Sequence, residues 1–157
     1  MPYEESRINR WKSVNLRRWL PQEEFDCDEI EGLFLDYFPP LFKAVPSDLE
    51  KLRALCECSA SHCEIIEFPV QVTCCTQLTR LNLGCNYIPI IPPDLYRLIH
   101  LTHLYLYNNK IQHVPPGLGK LKKIQVIYLQ RNEIKNIPDD IIECKELKKL
   151  NVSNNDF

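Results

Sequence analysis

Cys56, Cys58, His62 and Cys63 fall within one short stretch, and thiolates with an imidazole are the donor types that hold zinc. A metal site or a thiol switch built on them would make the chain a zinc- or redox-responsive regulator. Their spacing argues against convergence, because Cys58 and Cys63 fall on inward positions of the periodic pattern described below, whereas Cys56 and His62 do not. The vicinal pair Cys74-Cys75 lacks the Cys-x-x-Cys spacing of a dithiol catalyst. A Cys-His hydrolase would need thiol and imidazole within hydrogen-bond reach, and Cys85 and His62 adjoin only as neighbouring surface positions. No phosphate loop, nucleophile elbow or metalloprotease helix is present, and Gly32, Gly84, Gly117 and Gly119 make no nucleotide fingerprint. No catalytic residue, metal ligand or cofactor is assigned, and an enzyme is not expected.

The second group of candidates suits recognition rather than reaction. Tyrosine and arginine combine contact area with a polar end and are common interface anchors. They occur here as Tyr105, Tyr107, Tyr128 and Arg131, accompanied by Arg80, His103 and Asn108. What gathers them is a repeat. Leu78, Leu101, Ile124 and Leu147 stand at equal intervals along the chain. Each opens the same phrase: Leu81, Leu83, Asn86, then Leu104, Leu106, Asn109, then Ile127, Leu129, Asn132, then Leu150, Val152, Asn155. A fixed period of this kind signals a solenoid, whose units bury their apolar faces only against one another.

Within each unit the apolar alternation reads as a short strand, because every second side chain shares a face. Successive strands should stack in parallel. The prolines of Ile91-Pro92-Pro93, Val114-Pro115-Pro116 and Ile137-Pro138 favour an extended or turning backbone. Residues 94–98, 117–121 and 139–144 leave room for a single helical turn each. With the leucines inward, the intervening positions form columns on the open face. One holds Glu57, Arg80, His103, Val126 and Lys149; the next Ser59, Asn82, Tyr105, Tyr128 and Asn151. A third holds Ser61, Gly84, Tyr107, Gln130 and Ser153, and a fourth His62, Cys85, Asn108, Arg131 and Asn154. Asn86, Asn109, Asn132 and Asn155 turn inward instead, where a carboxamide can both donate to and accept from peptide groups. Cys63 takes that place one repeat earlier, with weaker hydrogen bonding.

These residues resemble the leucine-rich-repeat family, and within it the intracellular subgroup whose repeats continue asparagine-x-isoleucine-x-x-isoleucine-proline-x-x-leucine-x-x-leucine. Residues 41–157 carry the resemblance. It implies an α/β leucine-rich-repeat solenoid, with a curved parallel β-sheet on the concave face and short turns, extended segments and single helical turns on the convex face. It further implies a non-catalytic interaction module or signalling scaffold that binds a partner protein on that concave face. The Cys56 to Cys63 stretch is also faintly similar to the cysteine-rich caps of extracellular members. The register through Leu55, continuous with the later ladder, argues against such a cap.

Two regions follow from the pattern: a charged segment over 1–31 and a solenoid over 32–157 of about five units, the last incomplete. In the first, Arg7, Arg10, Lys12, Arg17 and Arg18 precede Glu23, Glu24, Asp26, Asp28, Glu29 and Glu31. Ile8, Trp11 and Trp19 lie near one helical face, so an amphipathic cap over the first repeat is expected. The first strand admits two registers, one stepping back a full period and one through Leu33, Leu35 and Phe38 with a small insertion before Phe42. Because Phe157 follows the last asparagine anchor so closely, the expectation is a fragment of a longer solenoid, such as the recognition part of a larger signalling enzyme, or else an end that self-associates. A net charge of −2 gives no general reason to bind nucleic acid or an anionic membrane. With no signal-peptide core, no membrane-length apolar run and eight cysteines best read as reduced thiols, a cytoplasmic protein is expected.

Overall fold

The computed structural model describes residues 31–37, 49 and 52–157. The charged segment before residue 31, with Trp11, Trp19 and Cys27, lies outside the described residues, as do Phe38 and Phe42. Six strands follow in chain order: β1 (Gly32–Phe34), β2 (Glu57–Ser59), β3 (Arg80–Asn82), β4 (His103–Tyr105), β5 (Val126–Tyr128) and β6 (Lys149–Asn151). They form one parallel sheet in the order β1-β2-β3-β4-β5-β6. This is the parallel solenoid that the repeat predicts. On the far side the chain makes 3-10 turns over Val70–Cys74, Pro93–Arg97, Leu118–Lys120 and Asp139–Glu143, each about one turn of helix.

Strand pairing places Leu81 beside Leu104, Leu104 beside Ile127 and Ile127 beside Leu150, always one period apart in the sequence. The first step differs. Gly32 pairs with Glu57 and Leu33 with Cys58, a step two positions longer than the one from Glu57 to Arg80. That longer step selects the register through Leu33 and Leu35, and both leucines are buried. The surplus is absorbed in the connection between β1 and β2, where loop length costs little.

Each turn of the coil sends a set of apolar residues inward. In the third unit Leu78, Leu81, Leu83, Ile88 and Leu98 are wholly buried, and their equivalents Leu101, Leu104, Leu106, Ile111 and Leu121 continue the same rows. Burying one such side chain stabilises by about 1.5–3 kcal/mol, so the rows supply the cohesion that such short strands lack. Cysteines fill some of these positions: Cys58 stands in the row of Leu81, and both Cys75 and Cys144 in the row of Leu98 and Leu121. On the convex side the Tyr96 hydroxyl donates to the Pro115 carbonyl (2.6 Å), and the Gly117 N–H to Asp140 Oδ2 (2.6 Å).

The asparagine ladder closes each coil. Asn109 Oδ1 accepts from the Ile88 N–H (3.0 Å), while its Nδ2 donates to the carbonyls of Leu83 (2.9 Å) and Leu106 (3.1 Å). Asn86, Asn132 and Asn155 repeat the arrangement against the unit before each. One carboxamide thus ties two repeats together. Cys63 takes the donor half of the role, its Sγ–H reaching the Leu35 carbonyl at 2.9 Å. Just before each of these positions the backbone is left-handed: His62, Cys85, Asn108, Arg131 and Asn154 have φ between 54° and 58°, and Tyr37 after β1 has φ 62°. Non-glycine residues adopt that region only where surrounding structure enforces it.

Asn109→Ala removes both halves of a buried link, and unfolding in urea should show a loss of roughly 1–3 kcal/mol. Asn108→Ala, at the exposed neighbouring position, should cost less than half as much. Equal losses would show that the ladder does not hold the repeats together.

Candidate functional site

Strand pairing builds the outward columns directly. Arg80, His103, Val126 and Lys149 are successive partners in one, and Asn82, Tyr105, Tyr128 and Asn151 in the next. Backbone bonds beyond the strands extend the alignment: the Cys85 N–H donates to the Tyr107 carbonyl, and the Asn108 N–H to the Gln130 carbonyl (both 2.9 Å).

At the middle of this face the rings of Tyr105 and Tyr128 meet edge to face, centroids 5.4 Å apart and planes at 66°. His103 lies 6.1 Å from Tyr105. Such edge contacts contribute about 0.5–1.5 kcal/mol beyond area burial, which holds these half-buried rings in one orientation. The Thr102 hydroxyl donates to the Thr79 carbonyl (2.8 Å), so in its 2.8 Å contact with His103 Nδ1 the imidazole N–H is the donor. That fixes the tautomer and leaves Nε2 as an acceptor. Burial, and then the Arg80 guanidinium, hold the His103 pKa below the ordinary histidine value.

Tyr107 lies flat against the sheet over Gly84. A Cβ added at Gly84 would come within 2.5–2.9 Å of three Tyr107 ring atoms, so only glycine leaves room for the ring. Burial, and then the neighbouring Cys85, push the Tyr107 hydroxyl above the ordinary tyrosine range. Arg131 and Asn108 stand exposed beside this group at the left-handed positions, and Arg80 is exposed at its other edge. The face therefore gathers all seven recognition candidates: Arg80, His103, Tyr105, Tyr107, Asn108, Tyr128 and Arg131.

Asp36 belongs to the same face and was not among the candidates, because its place depends on the first register. Its Oδ1 accepts from Ser59 Oγ (2.6 Å), the Ser61 N–H (2.7 Å) and Ser61 Oγ (2.7 Å). Asn82 Nδ2 donates onward to Ser59 Oγ (3.0 Å), and Asn82 Oδ1 accepts the Gly84 N–H (3.1 Å). A polar chain thus runs from the end of β1 to the glycine beneath Tyr107. Beside it Tyr37 and His62 stack at 4.4 Å with planes 11° apart. The same lengthened step that pairs Gly32 with Glu57 also sets these two rings side by side.

The cysteine-histidine group does not assemble. His62 is exposed and stacked on Tyr37, whereas Cys58 and Cys63 are buried on the inner side of the sheet. Cys56 Sγ–H donates to the Ala54 carbonyl (3.3 Å). Among the described residues no cluster of three or more His, Cys, Asp or Glu side chains could hold a metal ion. Burial also disfavours the thiolate at two of the inward cysteines. Burial pushes Cys58 up to about 12 and Cys75 up to about 11, so both stay protonated, whereas ligands and nucleophiles act as thiolates.

Two sequence profiles described as leucine rich repeat match residues 77–98 and 99–157. Among solved structures, a leucine-rich-repeat protein of Leptospira interrogans is 30% identical, with a TM-score of 0.71 over 72% of this chain and 29% of its own. The leucine-rich-repeat ectodomain of the Arabidopsis thaliana receptor kinase GASSHO1/SCHENGEN3 is 26% identical, with a TM-score of 0.67 over 79% of this chain and 17% of its own. That of the Arabidopsis thaliana receptor kinase SOBIR1 is 25% identical, with a TM-score of 0.65 over 73% and 65% respectively. The chain therefore spans less than a third of the first two. No curated protein matches it significantly. No helix among the described residues is long and apolar enough to cross a membrane.

Two outcomes test this geometry. Gly84→Ala should lift the Tyr107 ring, so that the hydroxyl, followed by NMR through an alkaline titration, loses its proton nearer the ordinary tyrosine range; an unchanged titration would show that the ring does not rest on Gly84. In native protein, iodoacetamide mapped by mass spectrometry should modify exposed Cys74 first and the buried Cys58, Cys75 and Cys144 last. Rapid native labelling of Cys58 would contradict the buried, protonated thiol.

Proposed function

The chain belongs to the leucine-rich-repeat family, whose domains bind other proteins, and we propose that this one is a non-catalytic interaction module that grips a partner protein on its concave face. The observation that carries this reading is the interlocked Tyr105–Tyr128 pair with His103 beside it and Tyr107 laid over Gly84. Rings already held in place lose little conformational entropy on docking. Arg131, Asn108 and Arg80 supply polar contacts at the rim, and His103 Nε2 offers an acceptor near the centre. The GASSHO1/SCHENGEN3 ectodomain was solved in complex with CASPARIAN STRIP INTEGRITY FACTOR 2, which supports binding of a partner as the use of such a solenoid.

A scaffold or signalling role in the cytoplasm completes the proposal. Its support is the set of free thiols at Cys56, Cys58, Cys74, Cys75, Cys85 and Cys144, which suits a reducing compartment.

Replacing both Tyr105 and Tyr128 by alanine should weaken the captured partner by about 30-fold or more, the loss of about 2 kcal/mol expected of an interface anchor. The comparison is a pull-down from cell lysate with the wild-type and double-mutant chains, after circular dichroism shows that both fold. An unchanged partner set in a folded double mutant removes the concave-face reading.

A further inference from the structure

The chain's charges are sorted between the two edges of its sheet. Along the edge where β5 and β6 begin, and at the ends of the 3-10 turns that lead into it, Lys120, Lys122, Lys123, Lys145, Lys148 and Lys149 are all exposed, with Glu143 and Glu146 among them. The opposite edge, where the strands end, carries Glu64, Glu67, Glu133, Asp139 and Asp156 with Lys110, Lys135 and Arg131. The small overall charge of −2 hides this separation.

Stacking fixes the lysines as a surface rather than a loose fringe. Lys122 and Lys145 occupy equivalent positions in adjacent repeats. Lys148 Nζ donates to Gln125 Oε1 (3.1 Å), and Lys123 Nζ to His100 Nδ1 (3.1 Å), each reaching back one repeat. Among the described residues only Lys122 of these lysines forms an ion pair, with Glu143 at 2.8 Å. On the other edge Lys110 is paired with Glu133. Neighbouring like charges repel one another, and among the described residues Glu143 is paired with Lys122 alone.

The patch is continuous with the concave site. Lys149 closes the column of Arg80 and His103 and neighbours the column of Tyr105 and Tyr128. Lys148 and Lys149 both contribute to the lowered His103 pKa, behind burial, Arg80 and an opposing Glu57, so the lysines are felt on that face.

We propose that this edge docks an acidic polypeptide segment, rich in glutamate or aspartate, whose continuation reaches the tyrosines. The second half of that statement rests on the concave-face reading; the docking of the acidic segment does not. Lysine presents a point charge suited to single carboxylates, whereas bidentate phosphate recognition favours arginine. Residues 120–126 and 143–149 themselves contain no aromatic ring for a nucleic-acid base, and the tyrosines beside them are already packed on one another. A bilayer would meet only this narrow strip, beside a sheet that curves away from a flat surface.

The test is fluorescence anisotropy of labelled oligoglutamate at low and moderate salt, alongside phosphatidylcholine vesicles containing one-third phosphatidylserine and a single-stranded oligonucleotide. Lys145→Glu with Lys148→Glu should weaken oligoglutamate by at least about tenfold, and added salt should weaken it in the wild type. Lys110→Glu with Lys135→Glu changes the net charge equally and should leave affinity within about twofold, which separates a local patch from overall charge. The Tyr105, Tyr128 double-alanine chain should still bind oligoglutamate, so this proposal and the concave-face reading can fail independently. The proposal is overturned if oligoglutamate does not bind, if both charge variants lose affinity equally, or if vesicles or oligonucleotide bind more tightly than oligoglutamate.

Discussion

When this chain leaves one of its short strands and turns, its peptide groups leave the sheet and face an apolar interior, where an unpaired N–H or C=O costs on the order of 1–3 kcal/mol. The carboxamides of Asn86, Asn109, Asn132 and Asn155 remove that cost at every coil, and they do it with groups from two repeats at once. Everything else is conditional on this closure. It lets the chain bend sharply enough for the strands to stay short, and it sets the pitch at which leucines meet leucines in the core. It also fixes the backbone just outside it, where Cys85, Asn108 and Arg131 hold left-handed conformations.

The functional surface inherits this regularity and adds one departure from it. Columns of outward residues are presented by a frame whose core does not depend on them, so their identities are left to recognition. The exception is Gly84, where the absence of a side chain is the contribution: it lets Tyr107 lie flat and links that ring, through Asn82 and Ser59, to Asp36 just beyond the first strand. The aromatic centre of the face and its acidic beginning are therefore one connected arrangement.

Most of the architecture was legible from the residues, because a solenoid repeats its instructions. Leu81, Leu104 and Ile127 announce the inward row, and the asparagines announce the turns. The columns follow by counting, and counting alone gathers the tyrosines. What could not be read was local. The first unit is two residues longer than the others, and without its pairing partner Asp36 had no assigned column. That Tyr107 lies down while Tyr105 stands against Tyr128 is a matter of side-chain torsions, which periodicity does not encode. The cysteines, by contrast, were legible from the repeat: despite their short spacing, the register already placed Cys58 inward and His62 elsewhere, and the structure keeps them apart. Charge sorting was hidden by the near-balanced total, since edges exist only once the chain is coiled.

The constant spacing between strands also sets a measure against which any bound chain is read. Neighbouring columns of side chains advance by roughly 4.8 Å per strand, whereas an extended polypeptide lying across them advances by roughly 3.3 Å per residue. The two rulers do not match residue for rung; they come back into step after about three residues and two strands. Only some side chains of such a guest can therefore sit squarely over a rung, while the others fall between, and Tyr105 and Tyr128, one strand apart, cannot both be matched by adjacent residues of a straight strand. On the proposed concave-face reading, the surface would act as a vernier, selecting sequences by their phase as much as by their composition.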